Sequence, residues 1–272
     1  MKAATFDYVK PPDVAGALRA LASGDAKLLA GGQSLGPMLN LRLVRAKLLV
    51  DISDVQELRS VEHRGSSVRI GAGVTHAEIE DARKGLSRNS MLRTVAAGIA
   101  YRSVRNRGTI GGSLAHADPA ADWPLALAVL DAKVHVRGPR STRTVPAAQF
   151  VKGAFTTDLG EDELIEAVEV PKLSASARWG YYKFCRKTGD FPEASAAIVM
   201  DRERRVARVF LGALNGAPRP CEGLARDLAQ GKPADSAACA QAVEQAVPDF
   251  DAVDRQMHAA ALARAIKSIE PS

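Results

Sequence analysis

Two glycine-rich segments carry the residues best suited to bind a ligand. The first spans residues 30–35 with the sequence AGGQSL, and the second spans residues 106–114 with the sequence NRGTIGGSL. Glycine lets the backbone approach a ligand without a Cβ in the way, so successive N–H groups can surround an anion while nearby hydroxyls add donors. Together the two segments predict a diphosphate site. The alternative for each is a glycine pair that only makes a turn.

Other familiar site chemistry is missing from the sequence. The segment Gly71-Ala72-Gly73 lacks the third glycine of a dinucleotide-binding turn, and no G-x-x-x-x-G-K-[ST] phosphate loop occurs. The histidines are scattered without an HExxH motif and the cysteines form no CxxC pair, so we expect no metal ligand on this chain. Ser34 and Ser113 have no neighbouring histidine to activate them, so we expect no catalytic residue. His116 is either a loop histidine bonded to backbone or a cofactor contact.

Alternating strand and helix patterns surround the two segments. Asp13 is predicted to cap an amphipathic helix, and Thr75 with Glu78 forms a capping box that begins another. Asp118-Pro119 is predicted to supply the cap and first residue of a helix that runs through residue 130. Strands are predicted at residues 27–30, 47–52, 68–71, 133–137 and 164–170.

The polar segment 171–178 is predicted to be a boundary between two domains. Three strands are predicted after it, at residues 181–186, 196–201 and 206–214, and the charged turn 202–205 joins the last two as a hairpin. Alanine-rich helices are predicted at 236–247 and 254–269, on either side of Pro248. Strands followed by a block of helices predict an α+β domain.

The composition limits the class of protein. Of 272 residues, 46% are apolar and 25% charged, which indicates a globular chain of one or two domains. No stretch approaches the ~18 apolar residues of a membrane span, and residues 1–12 contain no signal-peptide core, so we expect a cytoplasmic protein. The net charge of +6 is dispersed and aromatics make up only 5%, unlike the basic stripe with interleaved aromatics of a nucleic-acid binder. We expect no nucleic-acid partner.

The two glycine segments, taken with their flanking residues, resemble those of a known family. The sequence is similar to the FAD-binding medium subunit of molybdenum hydroxylases, the family of carbon monoxide dehydrogenase and xanthine dehydrogenase. AGGQSL at 30–35 matches its first FAD loop, and RNRGTIGGSLAHADPAAD at 105–122 matches the second almost letter for letter. The Phe-x-Tyr opening at 6–8 and KFCRKTGDF at 183–191 match further signatures. The resemblance covers nearly the whole chain.

The resemblance implies an α+β fold with two domains. Residues 1–175 would form a two-lobed FAD-binding domain of the vanillyl-alcohol-oxidase type, with lobes of about 1–55 and 56–175 and FAD between them. Residues 176–272 would form a C-terminal flavoprotein domain with a three-stranded antiparallel sheet and a helix bundle.

The resemblance also implies which residues hold FAD. The two loops would offer N–H and hydroxyl donors to the pyrophosphate, Asp122 would accept from a ribose or ring donor, Ile165 would form an apolar wall, and Lys183 would bring positive charge. Each of the last three residues has an alternative role. Asp122 could be a solvated charge in the first turn of a helix, favoured by the helix dipole, Ile165 could belong to the core of a strand, and Lys183 could be a surface lysine. The full predicted set is Ala30, Gly31, Gly32, Gln33, Ser34, Leu35, Thr109, Ile110, Gly111, Gly112, Ser113, Ala117, Asp118, Asp122, Ile165 and Lys183.

The function that the resemblance implies is electron transfer. Substrate would be oxidised at a molybdenum-pterin centre in a large subunit, and electrons would pass through [2Fe–2S] clusters of a small subunit to FAD and then to NAD, oxygen or a quinone. The expected assembly is a dimer of heterotrimers. Two alternatives stay open, a free-standing FAD oxidoreductase of the same fold and a flavin-free scaffold subunit. The substrate stays open as well, because the large subunit selects it.

Overall fold

The chain begins with a small parallel sheet. The structure, a computed structural model, describes residues 2–86 and 90–269. Strands β1 (Asp7–Val9), β2 (Ala26–Leu29) and β3 (Leu48–Asp51) pair in the order β1-β3-β2, with helices α1 (Val14–Leu21) and α2 (Leu35–Asn40) between them. Because the strands are parallel, their carboxyl ends lie at one edge of the sheet. The first glycine segment follows β2 at that edge.

An antiparallel five-stranded sheet organises the next part of the chain. Its five strands pair in the order β4-β5-β10-β6-β7, and a separate hairpin pairs β8 with β9. The strands of both are β4 (Val61–Arg64), β5 (Ser67–Gly71), β6 (Lys133–Arg137), β7 (Thr142–Pro146), β8 (Val151–Gly153), β9 (Thr156–Thr157) and β10 (Leu164–Pro171). Its helices are α3 (His76–Glu80), α4 (Met91–Ala97), α5 (Arg102–Arg105), α6 (Ile110–His116), α7 (Asp122–Val129) and α8 (Ala147–Phe150). The second glycine segment leads into α6.

The C-terminal part pairs an antiparallel sheet with three helices. The strands, in sequential order, are β11 (Arg178–Phe184), β12 (Ala194–Asp201), β13 (Val206–Gly212) and β14 (Arg219–Pro220). The helices are α9 (Glu222–Ala229), α10 (Ser236–Ala246) and α11 (Ala252–Lys267). Within the described residues, no helix is long and apolar enough to cross a membrane.

Strand β12 is shared by two hydrophobic cores. All eight of its residues are buried. Ala197 and Val199 pack into the main core, which also holds the fully buried Trp123 and Phe150. Since side chains alternate along a strand, Ala196 and its neighbours on the opposite face pack into the C-terminal core with α9, α10 and α11. The middle part of the chain, around the five-stranded sheet, and its C-terminal part are therefore packed through one strand.

Local chemistry explains where several helices begin. The Asp13 carboxylate accepts from the backbone N–H of Gly16 at 2.6 Å, as predicted. The capping box of Thr75 and Glu78 is also present, with both reciprocal hydrogen bonds made. The prediction that Asp118 begins a helix is wrong, because its carboxylate accepts from the N–H of Ala120 at 2.9 Å and closes a turn. The helix begins only at Asp122.

The C-terminal sheet has four strands rather than the expected three. The additional strand, β14, is only two residues long and contains a proline, so it carries no alternating pattern. Strands β4 and β7 and helix α9 were also not predicted. Pro171 ends β10 and Arg178 begins β11, so the segment expected to be a boundary lies between two strands.

Gly180 allows α11 to lie directly on β11, and this contact can be tested. A Cβ at Gly180 would stand 2.0 Å from the carbonyl oxygen of Ala265 and 2.6 Å from Oγ of Ser268. We expect Gly180→Ala to lower the free energy of unfolding by about 1–3 kcal/mol in urea titrations, the cost of overpacking. The control, Gly223→Ala, lies in helix α9 with its nearest neighbour at 3.5 Å, and should stabilise the chain by up to ~1 kcal/mol. Equal stability of both variants would contradict this account.

Candidate functional site

The first glycine segment presents an unbroken run of free backbone donors. Across residues 2–86 and 90–269, the N–H groups of residues 31–35 make no hydrogen bond to a protein acceptor. Gly32 has φ +71°, a left-handed conformation that turns the chain into a concave loop. Consecutive N–H groups in such a loop bind anions. The segment is therefore built to receive a negatively charged group.

The second glycine segment differs from the expectation of free backbone donors. The N–H of Ile110 donates to the Val74 carbonyl at 3.1 Å, and that of Gly111 donates to the Ala72 carbonyl at 2.9 Å. The N–H of Gly112 donates to Oγ1 of Thr109, which caps α6. These donors are used within the protein, so the segment offers a ligand hydroxyl groups and a rigid wall instead.

The two segments lie in direct backbone contact. A Cβ at Gly31 would stand 2.0 Å from the carbonyl oxygen of Arg107 and 2.8 Å from Cα of Gly108. The Nε of Arg107 also lies 3.4 Å from the Gly31 carbonyl oxygen. Only glycine permits this approach, which brings together two loops that are about 80 residues apart in the sequence.

A cleft opens beside this contact at the carboxyl edge of the parallel sheet. Open α/β sheets bind ligands at this edge. The cleft is lined by residues of both glycine segments together with two arginines, an aspartate, an asparagine, a serine and a threonine. Its lining residues are Ala30, Gly31, Ile52, Ser53, Asp54, Arg59, Gly73, Asn106, Arg107 and Thr109.

A buried charged cluster lies at the start of α7. The Asp122 carboxylate is only 6% exposed and accepts from the Tyr181 hydroxyl, while Nζ of Lys183 lies 3.2 and 3.3 Å from its two oxygens. Nζ of Lys183 also donates to the carbonyls of Gly98, at 2.8 Å, and Asp190, at 3.2 Å. Asp122 is therefore not a solvated first-turn charge, and Lys183 is not a surface lysine.

Burial dominates the electrostatics of this cluster. It raises the pKa of Asp122 above its ordinary value, although the Lys183 ammonium and the Tyr181 hydroxyl act in the opposite direction. Burial and the nearby Asp122 carboxylate raise the pKa of Tyr181 well above its ordinary value, so this phenol stays protonated and can only donate to Asp122.

The remaining predicted residues lie outside the cleft lining. Ile165 is 5% exposed and packs in the main core, as expected for plain strand core. Ala117 is fully buried in a left-handed conformation at the end of α6, and Asp118 follows it in the turn described above. The His116 ring lies 5.2 Å from that of Phe155. The structure thus brings the two glycine segments together at one place. It brings Asp122 and Lys183 together at another.

Sequence reasoning missed four residues of this region: Arg107, Tyr181, His76 and Trp123. His76 is 5% exposed, and burial, followed by the charge of Arg105, lowers its pKa to about 4. Its Nδ1 accepts from Nε1 of Trp123 at 3.2 Å. For Arg107 the signal was its position inside the second glycine segment. For the His76–Trp123 pair, 47 residues apart, no local pattern exists.

Comparisons with known proteins agree with this geometry. A family model described as "FAD binding domain in molybdopterin dehydrogenase" matches residues 4–173. The chain belongs to the FAD-binding medium subunits of molybdenum hydroxylases. The carbon monoxide dehydrogenase medium chain of Hydrogenophaga pseudoflava is 38% identical over 216 residues, which cover 78% of this chain and 75% of that one. The 6-hydroxypseudooxynicotine dehydrogenase complex subunit alpha of Paenarthrobacter nicotinovorans is 40% identical over 221 residues, 79% and 74% of the two chains.

Solved structures of the family extend the likeness to the whole chain. A chain of quinoline 2-oxidoreductase from Pseudomonas putida 86 aligns with a TM-score of 0.89 at 33% identity, covering 99% of this chain and 98% of its own. A chain of carbon monoxide dehydrogenase from Hydrogenophaga pseudoflava aligns with a TM-score of 0.91 at 32% identity and the same coverage.

The donor set of this FAD-binding subunit fits its cofactor. FAD carries a diphosphate with two negative charges, and residues 31–35 offer five N–H groups without a protein acceptor among the described residues. The Arg107 side chain contacts the first residue of this run and lines the cleft with it. In residues 2–86 and 90–269, no group of three or more His, Cys, Asp or Glu side chains could hold a metal ion.

The contact at Gly31 gives a direct test of the site. Gly31→Ala places a Cβ against the Arg107 carbonyl and must separate the two segments, so we expect FAD affinity to fall by roughly tenfold or more. Titration of apo-protein with FAD, followed by flavin fluorescence, measures this. The control, Gly216→Ala, has its nearest neighbour at 3.6 Å and should bind FAD like the parent. Unchanged affinity in Gly31→Ala would show that the contact does not shape the site.

Proposed function

We propose that this chain carries electrons from the [2Fe–2S] clusters of a small subunit, through FAD, to an external acceptor. A large molybdenum-pterin subunit would oxidise the substrate, and the assembly would be a dimer of heterotrimers. The support is the match over 78% of this chain to a carbon monoxide dehydrogenase medium chain, and over 99% of it to a chain of a solved carbon monoxide dehydrogenase. The free, unpaired cysteines agree with a cytoplasmic location.

The proposal divides the work between two parts of the chain. Residues 1–175 would form the FAD-binding domain, with lobes of about 1–55 and 56–175 related as in the vanillyl-alcohol-oxidase type, and residues 176–272 a C-terminal domain. The parallel sheet in the first lobe and the five-stranded sheet in the second support this division. The contact between Gly31 and Arg107 lies where the two lobes would hold FAD between them.

Most of the predicted residues receive a role in this proposal. FAD, when bound, supplies the redox chemistry, accepting electrons from the clusters and passing them on. Residues 30–35 would hold the pyrophosphate through their free N–H groups, with hydroxyls from Thr109 and Ser113. Asp122 and Lys183 would fix polar groups of the cofactor from inside the protein, because their own hydrogen bonds hold them in place. Ile165 would form an apolar wall.

The single observation that carries the proposal is the run of free N–H groups beside the second loop. Mild purification of the native protein should yield one non-covalent FAD per chain together with a large molybdenum-pterin subunit and a small [2Fe–2S] subunit. Acid precipitation should release the flavin into the supernatant as FAD. FAD without partner subunits would favour the free-standing oxidoreductase, and partners without flavin would favour the scaffold.

Asp122 offers a second test of the same function. If its carboxylate accepts from FAD, Asp122→Asn should remove a charge-assisted bond of about 1.5–3 kcal/mol, which weakens FAD binding roughly ten- to hundredfold. The control, Tyr181→Phe, removes one donor to the same carboxylate but leaves its charge, and should weaken binding less. If Asp122 serves only to pair with Tyr181 and Lys183, the free energy of unfolding will fall while FAD affinity stays within twofold.

A further inference from the structure

His76 packs directly against the second glycine segment. It is the first residue of α3, and its backbone N–H donates to the Gly108 carbonyl at 2.9 Å. Its ring fills the space that a side chain at residue 108 would need, since a Cβ on Gly108 would stand 2.9 Å from both Cδ2 and Nε2 of His76. Backbone and ring of one residue therefore support the loop just before Thr109.

The other edge of the same ring contacts α7. Nδ1 of His76 accepts from the indole Nε1 of Trp123 at 3.2 Å. Trp123 is fully buried and immediately follows Asp122 in the first turn of α7. Because an indole N–H can only donate, Nδ1 must carry no proton, and the neutral ring holds its hydrogen on Nε2.

We propose that His76 is a positioning residue for FAD, which couples the second glycine segment to the Asp122 cluster through its neutral ring. The inference rests on the proposed function, because it places both regions on one cofactor. A dinucleotide that contacts both must meet them at a fixed separation. The His76 ring spans the gap between Gly108 and Trp123 and thereby sets that separation.

The charges around His76 give this role a pH dependence. Arg105 on α5 acts on the ring through its charge and is itself paired with Glu80 of α3. Further charged groups around α3 are Arg102 on α5, Arg93 on α4 and Arg107 in the second glycine segment, while Asp122 at the start of α7 is paired with Lys183. Protonation at Nδ1 would end the bond from Trp123 and place a cation near Arg105. Since burial lowers the pKa of His76 from 6.5 to about 4, the unfolded chain binds this proton first. The contribution of the neutral His76 ring to the free energy of unfolding is therefore complete above pH 6.5 and declines as the pH falls toward 4.

Two substitutions separate positioning from simple packing. In His76→Asn, the amide oxygen can take the place of Nδ1 and accept from Trp123, so we expect FAD affinity within about threefold of the parent. In His76→Leu, volume is kept but the indole N–H loses its acceptor, so we expect affinity to fall roughly tenfold or more. FAD titration of the intact chain at pH 7.5 gives the affinities of the two variants, and melting temperatures measured in parallel show whether each variant is folded.

A control variant and a pH series complete the test. Leu262→Ala, which makes a cavity in the C-terminal core, should lower the melting temperature without changing FAD affinity. In the parent, FAD affinity should hold down to about pH 5 and decline only as the pH approaches 4, where the folded ring takes up its proton. His76→Asn has no ring to protonate, so its affinity should decline less over the same range. Equal affinities of His76→Leu and the parent, or identical pH profiles of the parent and His76→Asn, would overturn the inference. A parent that binds no FAD at any pH would instead overturn the proposed function.

Discussion

The close approach of Gly31 to the carbonyl of Arg107 is the contact on which the rest of the site depends. It joins the loop after β2 of the parallel sheet to the loop before α6, which is attached to the antiparallel sheet. The second loop can serve as a firm surface because its own N–H groups already donate to residues 72–74. The first loop can therefore leave five N–H groups without protein partners and still be held in shape. One loop supplies rigidity, and the other supplies the unsatisfied donors that a diphosphate needs.

Hydrogen bonding also explains how the buried charges of Asp122 and Lys183 persist inside the protein. An ion pair removed from water stabilises a protein only when the remaining donors and acceptors find partners. Lys183 donates to two backbone carbonyls besides Asp122, and Asp122 accepts from Tyr181 as well. Because these groups are held by several elements, they are already fixed in place, and a cofactor that contacts them as proposed would need less ordering on binding.

Features set by neighbouring residues could be predicted from the sequence, and features set by distant pairing could not. Asp13 and the Thr75 capping box act within one helical turn, and both were placed correctly. The prediction that a helix begins at Asp118 was wrong because an Asp-Pro pair suits a tight turn as well as a helix cap. The glycine segments were visible as motifs, but their different roles depend on pairing of the second with residues 72–76, over 30 positions earlier. His76 and Trp123 meet only in the folded chain.

The position of β12 between two cores has a consequence for how the molecule melts. A strand whose alternate side chains complete two separate cores cannot leave one without disrupting the other. Heat should therefore be absorbed in a single transition, with one calorimetric peak, by the part of the chain from β4 to α11. A ligand held against the second loop, which leads into α6 of the main core, would then shift the melting of α11 along with that of the five-stranded sheet, since both belong to one cooperative unit.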